Sequence, residues 1–265
     1  MVSGAAVTLD NLTVSYRRHP ALHHVCGHFA AGSLTAVVGP NGAGKSTLCK
    51  SIMGLLPRSG GTITTAIPRT RIAYLPQLAE LDRGFPMVVR DAVLLGCWPS
   101  QGAWGGVSDA QWAAVAAALQ AVGLEGFETR PVGTLSSGQF QRMLFARLLV
   151  QDARLILLDE PFNAVDGKTT TALLALIQQW RRQGRTVIAV LHDDAQVRAH
   201  FPQTLLLARE AVAWGPTAQA MTEHNMARAR AMAEAWDETA ETCRIDGTSA
   251  APVTPQPAPL QKALA

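Results

Sequence analysis

Apolar runs of strand length alternate with segments of helix length over much of this 265-residue chain. Four runs are predicted to form buried strands: 33–39, 155–160, 186–192 and 204–208. Residues 167–184 between two of these runs have the pattern of a helix, with a basic last turn and Gly184 as its stop. A shorter helix is predicted from about 193 to 200. This alternation indicates an α/β domain with a mainly parallel sheet.

Two parts of the chain depart from this alternation. The N-terminal segment up to Ala31 is predicted to form antiparallel strands packed on the edge of the core, because apolar and polar positions alternate in "VTLDNLTVSY" at 7–16. From about 78 to 150 the strand runs disappear, and helices are predicted at 109–124 and 136–151. Ser108 and Gln111 have the spacing of a capping box at the first of these helices. We interpret 78–150 as an α-helical subdomain inserted into the sheet domain.

The C-terminal part is expected to lie outside this domain. We predict one domain over 1–220, a helical extension over 221–246 and a disordered Pro/Ala-rich tail over 247–265.

No apolar run approaches the ~20 residues that span a bilayer, and the start lacks the pattern of a signal peptide. The four cysteines form no CxxC pair, which favours a reducing compartment. A cytoplasmic location is therefore expected. A net charge of +3 without a basic stripe argues against a nucleic-acid partner.

The stretch "GPNGAGKST" fits the phosphate-loop pattern G-x-x-x-x-G-K-[ST], with a predicted strand before it and a predicted helix after it. Backbone N–H groups of such a loop wrap phosphates, and the helix N-terminus adds partial positive charge. Lys45 is expected to reach the β- and γ-phosphates, and Ser46 to supply an oxygen to Mg²⁺. All nine residues are predicted to bind nucleotide: Gly39, Pro40, Asn41, Gly42, Ala43, Gly44, Lys45, Ser46 and Thr47.

Two further stretches suit the same chemistry. "LILLDEP" ends a buried strand in two carboxylates, so that Asp159 can hold Mg²⁺ while Glu160 faces the attacking water as general base. On its own, such a pair of carboxylates is often the solvated start of a loop. The presence of the phosphate loop in the same chain is what supports a catalytic role for the pair. "TLSSGQFQR" at 134–142 looks like a second phosphate cradle at a helix start, without a lysine. His192, at the end of the run at 186–192, would alone be interpreted as a structural histidine.

In order along the chain come the phosphate loop, Gln77 in "AYLPQ", "LSSGQ", "LILLDEP", "NAVD" and His192. With these motifs, the chain over 7–216 resembles the ATP-binding subunits of ABC transporters. The resemblance implies a P-loop nucleotide-binding core with a mainly parallel sheet, an N-terminal antiparallel β edge and an inserted α-helical subdomain. It also implies ATP and Mg²⁺ as cofactors, ATP hydrolysis and a homodimer.

The resemblance also assigns roles to single residues. In head-to-tail dimers of this family, the signature loop of one subunit closes over the nucleotide held by the other. Four residues are therefore assigned to nucleotide bound in trans: Ser136, Ser137, Gly138 and Gln139. Tyr16 matches the aromatic residue that stacks on adenine, and Asp166 matches the aspartate of the dimer-crossing loop. Gln77 is assigned to Mg²⁺ and to signalling towards the membrane subunit, and His192 to the γ-phosphate.

Two positions depart from the family pattern. Ser137 replaces the first glycine of the usual L-S-G-G-Q, which leaves binding possible because serine suits the first turn of a helix. Asn163 stands where the dimer-crossing loop usually has serine, so the contact of that serine is in question.

The segment "LDRGFPMVVRDAVLLG" at 81–96 resembles the metal-ion branch of the family, the zinc and manganese importers. This resemblance implies a polytopic membrane permease as partner, an indirect link to an extracytoplasmic metal-binding protein and a peripheral location on the inner face of the membrane. Of the two ions, zinc is the first expectation for the transported metal and manganese the second. The alternatives are an iron-chelate importer and a soluble, non-transport ABC ATPase. The single compact cassette argues against the soluble ATPase.

A histidine-rich stretch, "HPALHHVCGH" at 19–28, permits another reading. Alternation of His24, Cys26 and His28 along a strand would place three metal-binding side chains on one face, as a metal sensor would need. An ordinary strand with solvated polar residues also explains the stretch. We adopt that interpretation and assign no metal ligands here.

Overall fold

The computed structural model describes residues 4–16, 19–77, 83–98, 106–163 and 165–234. In these ranges the strands are β1 (Ala5–Tyr16), β2 (His19–Ala30), β3 (Leu34–Val38), β4 (Gly60–Thr65), β5 (Ile72–Leu75), β6 (Leu155–Asp159), β7 (Thr186–Val190), β8 (Gln203–Ala208) and β9 (Glu210–Pro216). The helices are α1 (Lys45–Ile52), α2 (Val89–Leu94), α3 (Asp109–Ala121), α4 (Ser137–Gln151), α5 (Gly167–Arg182), α6 (Asp194–His200), α7 (Thr217–Ala220) and α8 (Glu223–Glu234). None of these described helices is both long and apolar enough to span a membrane.

A six-stranded sheet in the order β5-β6-β7-β3-β8-β9 forms the centre of the fold. The first five strands are parallel, and β9 joins β8 antiparallel at one edge. Along β6, Ile156 and Leu158 belong to one apolar cluster, while Leu155 and Leu157 belong to another. Because side chains alternate between the two faces of a strand, both faces of the sheet are covered, which explains the continuous apolar runs. The predicted mainly parallel sheet is confirmed.

The two faces of this sheet are covered by different elements. The cluster on one face takes side chains from α2 to α6, including Phe145 and Trp180, whose rings stack 5.9 Å apart. The cluster on the other face takes residues of α1, β1 and β2. A second sheet, in the order β2-β1-β4, is antiparallel. The antiparallel N-terminal edge predicted from the sequence is therefore present.

The pairing of β1 with β2 is irregular, with register shifts at four places. The register shifts between Leu9 and Leu12 and again between Leu12 and Val14, and both Asn11 and His24 have positive φ angles, 51° and 49°. A β-bulge inserts an extra residue and changes which face the following side chains occupy. The strict alternation assumed for His24, Cys26 and His28 is therefore interrupted at His24.

Several predicted helix ends agree with the structure. Gln111 Oε1 accepts a hydrogen bond from the backbone N–H of Ser108 at 2.8 Å, as expected for the capping box of α3. Helix α5 ends at Arg182, and Gly184 follows in the left-handed region with φ 76°. Helix α8 covers 223–234 of the predicted extension, whereas 235–246 and the predicted tail at 247–265 lie outside the described residues. Strands β4, β5 and β9 were not predicted.

The contact between Gly27 and Trp214 joins β2 to β9. Gly27 has φ 145°, and a Cβ atom there would lie 2.6 Å from the Trp214 ring. Trp214 also lies against Phe29, with ring centroids 4.6 Å apart. The close approach of strand and indole therefore requires glycine.

We expect Gly27→Ala to lower the free energy of unfolding by about 1–3 kcal/mol, because the added methyl group overpacks a close, partly buried contact. Gly215→Ala in β9 is the matched control, since a Cβ there meets no atom within 4 Å. Urea denaturation of both variants measures the difference. Equal midpoints for the two would contradict the packing argument.

Candidate functional site

The predicted functional residues follow four neighbouring parallel strands. Gln77 follows β5, Glu160 follows β6, His192 follows β7, and the phosphate loop follows β3. Because the carboxyl ends of parallel strands meet at one edge of a sheet, the fold brings these distant segments together. One amino group, two carboxylates, an amide and an imidazole therefore lie at this edge of the sheet.

The phosphate loop at 39–47 needs its glycines for steric reasons. A Cβ at Gly39, with φ 148°, would lie 1.9 Å from the carbonyl oxygen of Leu207, and one at Gly44, with φ 91°, would lie 2.3 Å from that of Ala21. The loop is thereby pressed against the ends of β8 and β2. Its backbone opens helix α1, which begins at Lys45, so free N–H groups of the first turn line the loop.

Lys45 points back into the loop that precedes it. Its Nζ donates to the carbonyl oxygens of Gly39 and Pro40, both at 2.8 Å. Burial lowers the pKa of the Lys45 amino group, and the negative charges of Glu160 and Asp159 oppose this without fully offsetting it. A buried cation held by two carbonyl groups fits a site that receives the negative charge of phosphates.

Ser46 and Asp159 form a pair of oxygen atoms beside Lys45. Ser46 Oγ donates to Asp159 Oδ1 at 3.0 Å, and Tyr74 Oη donates to Asp159 Oδ2 at 3.3 Å. Asp159 is fully buried. Carboxylate and hydroxyl oxygens are the ligands that Mg²⁺ prefers, so this pair fits the predicted ion. Gln77, which was also assigned to Mg²⁺, is bonded to Glu160 instead.

Glu160 lies at the centre of a hydrogen-bonded cluster. His192 Nε2 contacts Glu160 Oε1 at 2.6 Å, and Gln77 Nε2 donates to Oε2 at 2.7 Å. Asn163 Nδ2 also donates to Oε2. Burial raises the pKa of the Glu160 carboxyl, but hydrogen bonds from these three side chains and the charge of His192 together hold it below its usual value. The carboxylate is therefore ionised at neutral pH, as a general base requires.

A cavity of about 390 Å³ lies beside the phosphate loop. Besides loop residues and Glu160, it is lined by Tyr16, His19, Ala21 and Arg209. Tyr16, the predicted adenine partner, is 46% exposed. The cavity joins the predicted base-binding residue to the predicted phosphate-binding residues.

His19 and Arg209 were not predicted from the sequence. His19 pairs with Tyr16 across the β1–β2 hairpin, so the register of that hairpin could have indicated it. Arg209 lies between β8 and β9, where its N–H donates to Ala43 O at 2.9 Å and its Nη1 donates to Pro20 O at 2.8 Å. These bonds tie the phosphate loop to β2. No local signal in the sequence marks Arg209, because its partners lie far away along the chain.

The signature loop lies apart from this cavity. Ser136 caps helix α4: its Oγ accepts from the N–H of Gln139 at 3.2 Å, and Gln139 Oε1 accepts from the N–H of Ser136 at 2.9 Å. Arg83, another unpredicted residue, donates to Leu135 O and approaches Ser137 Oγ at 3.5 Å. Within the described part of the chain, the cavity beside the phosphate loop is not lined by 136–139. Of the two cradles, the phosphate loop lines this cavity and the signature loop does not.

Asp166 is placed at the start of α5. Its Oδ1 accepts from the N–H of Thr169 at 2.8 Å and its Oδ2 from Thr169 Oγ1 at 3.0 Å. These hydrogen bonds hold the pKa of the Asp166 carboxyl below its usual value. In this structure Asp166 therefore acts as the N-terminal cap of α5.

The histidine-rich strand is more engaged than the solvated face that we expected. His23 Nδ1 contacts Glu210 at 2.8 Å, and His24 Nδ1 contacts Asn11 Oδ1, so both rings are held and partly buried. Cys26 and His28 are exposed, and Cys26 Sγ also accepts a hydrogen bond from the N–H of Asn11 at 3.2 Å. Over the residues that the structure describes, no group of three or more His, Cys, Asp or Glu is arranged to hold a metal ion.

Comparisons with known proteins bear on this geometry. A family model described as ABC transporter matches residues 22–163. The manganese transport system ATP-binding protein MntB of Listeria monocytogenes is 40% identical over 223 residues, which cover 82% of this chain and 93% of that protein. The zinc transport system ATP-binding protein TroB of Treponema pallidum is 40% identical over 229 residues, covering 84% of this chain and 86% of that protein. A solved chain described as an inward-facing, metal-chelate-type ABC transporter has a TM-score of 0.76 and 28% identity, covering 86% of this chain and 90% of that one.

Proposed function

Because this chain belongs to the ABC transporter family, as its motif order predicted, we propose that it is the ATP-hydrolysing subunit of a zinc or manganese importer. The observation that carries the proposal is the convergence of Gln77, Glu160, His192 and the phosphate loop at one edge of the sheet. The metal branch is supported by relatives at 40% identity that are named manganese and zinc transport proteins.

The residues of this edge would divide the work of hydrolysis among them. The phosphate loop and Lys45 would bind the β- and γ-phosphates, and Tyr16 would stack on adenine. Glu160 would orient the attacking water and accept its proton, and His192 would contact the γ-phosphate. Mg²⁺, when bound by Ser46, Asp159 and Gln77, would neutralise charge on the phosphates.

The second cradle is assigned to a partner subunit. Since 136–139 do not line the cavity beside their own phosphate loop, we propose that Ser136 and Gly138 of one copy contact the γ-phosphate held by the other copy. The Asp166 loop would cross between the copies. A membrane permease would couple this dimer to transport, with a metal-binding protein on the far side of the membrane, and the subunit would be peripheral on the cytoplasmic face.

The iron-chelate alternative is not favoured. The similar metal-chelate-type structure is 28% identical, whereas the named manganese and zinc relatives reach 40% over most of the chain. A soluble, non-transport ATPase is not favoured by these relatives either.

We expect deletion of the gene to impair growth when divalent metals are chelated, and added zinc or manganese to restore it. The variant Lys45→Ala should fail to complement the deletion, because the loss of a buried phosphate-binding cation removes ATP binding. Growth and cell-associated metal content, measured by mass spectrometry, provide the readout. Rescue by ferric chelates alone would contradict the assignment to the zinc and manganese branch.

A further inference from the structure

Three side chains hydrogen-bond to the Glu160 carboxylate, and two of them have another task in the proposed function. Gln77 is assigned to Mg²⁺ and His192 to the γ-phosphate, whereas Asn163 is assigned to neither the metal ion nor the nucleotide. We infer that Asn163 is the positioning residue of Glu160, which holds this carboxylate towards the attacking water once Gln77 and His192 engage the nucleotide. The inference rests on the proposed function.

The local backbone explains why Asn163 reaches Glu160. Glu160 has φ 52°, an uncommon left-handed conformation for a residue with a side chain. The N–H of Asn163 donates to the carbonyl oxygen of Glu160 at 3.3 Å, which closes a tight turn over 160–163. This turn folds the Asn163 side chain back over Glu160, so that Nδ2 donates to Oε2.

The length of the side chain and its type both matter. Serine, the usual family residue at this position, carries its donor one bond closer to the backbone than asparagine does. The Nδ2 group of asparagine donates and has no charge, so it supports a carboxylate without protonating it. Asn163 is thus matched to Glu160 in reach and in polarity.

The acceptor positions of the carboxylate lead to the same conclusion. A carboxylate offers about four acceptor positions. Oε2 accepts from Gln77 and Asn163, and Oε1 contacts His192. The side chain of Glu160 is only 12% exposed, so few water molecules can replace a lost donor. If Gln77 and His192 turn to the nucleotide, Asn163 is the one of these three described donors that still orients the side chain, while acceptor positions open for water.

Purified Asn163→Ala protein tests this inference. We expect kcat for ATP hydrolysis to fall roughly ten- to hundredfold, the usual effect of losing one hydrogen bond to a charged group, with KM nearly unchanged. Binding of a fluorescent ATP analogue without Mg²⁺ should match that of the parent. Asn163→Asp has nearly the same shape but places a second carboxylate beside Glu160, so its kcat should fall further. Asn225→Ala, which removes an amide at the start of α8, is the control and should retain the parent rate.

A double-mutant cycle with Glu160→Gln separates positioning from general structural damage. In single-turnover measurements, Asn163→Ala should slow the parent but not the Glu160→Gln protein, because the Glu160 carboxylate is already absent there. An equal loss in both backgrounds, or a kcat within twofold of the parent, would overturn the inference. Failure of the proposed function looks different, because then the parent itself would not hydrolyse ATP or Glu160→Gln would be as active as the parent.

Discussion

Glu160→Gln is expected to lower the turnover of ATP by about 10²- to 10⁴-fold, the usual cost of losing a general base, while ATP binding stays nearly intact. The amide keeps the shape of the side chain and can still accept hydrogen bonds at one oxygen, but it cannot take a proton from water. Lys45, Ser46 and Asp159, which are predicted to bind the phosphates and Mg²⁺, are left unchanged. Phosphate release and binding of a fluorescent ATP analogue measure the two effects separately.

The same variant should accumulate as a dimer when ATP and Mg²⁺ are present, because two copies that bind ATP without cleaving it remain together. Gel filtration with and without nucleotide tests this expectation. Glu125→Gln is the matched control, since Glu125 is exposed and lies outside the cluster around Glu160. A Glu160→Gln protein that stays monomeric and turns over at the parent rate would show that another group is the base.

The central strands could be predicted because their buried residues are consecutive in the sequence. Strands β3, β6 and β7 are buried at every position, and four of the five residues in each are apolar. Strand β4, "GGTITT", has no buried residue, and its conformation depends on pairing with β1. Strand β5 has four residues, and β9 is only partly buried. Strand β5 is apolar but too short to be told from other apolar segments, whereas β4 and β9 depend on their pairing partners rather than on their own composition.

The residues of the candidate site also fall into a group that the sequence predicts and a group that it does not. The phosphate loop and the pair Asp159 and Glu160 are contiguous patterns, so the sequence predicts their chemistry together with their position. The bonds of Asn163 to Glu160 and of Arg209 to Ala43 depend on how turns and strand ends meet in space. Sequence alone marked Asn163 only as a departure from the family pattern. The structure supplies a partner for it.

The separation of the two cradles leads to the second large effect, a test with mixed dimers. One chain carries both Lys45→Ala and Ser136→Arg, and its partner is wild type, with two affinity tags to purify the mixed dimer. If each ATP site combines the phosphate loop of one copy with the signature loop of the other, both sites are damaged and hydrolysis should be nearly lost. If each site used both loops of one chain, the wild-type chain would keep an intact site.

The complementary mixed dimer carries Lys45→Ala on one chain and Ser136→Arg on the other. A site shared between copies then leaves one undamaged pair of loops, and activity up to about half of the parent rate is expected if the two sites act independently. Ser136→Arg also removes the cap of α4, which by itself costs about 1 kcal/mol. Ser108→Arg removes the equivalent serine of the other capping box, at α3, and controls for that loss. Strong hydrolysis by the first mixed dimer, together with little by the second, would show that both loops act within one chain. The reverse pattern is expected, because Ser136 lies at the positive end of a helix whose loop does not line the cavity of its own subunit.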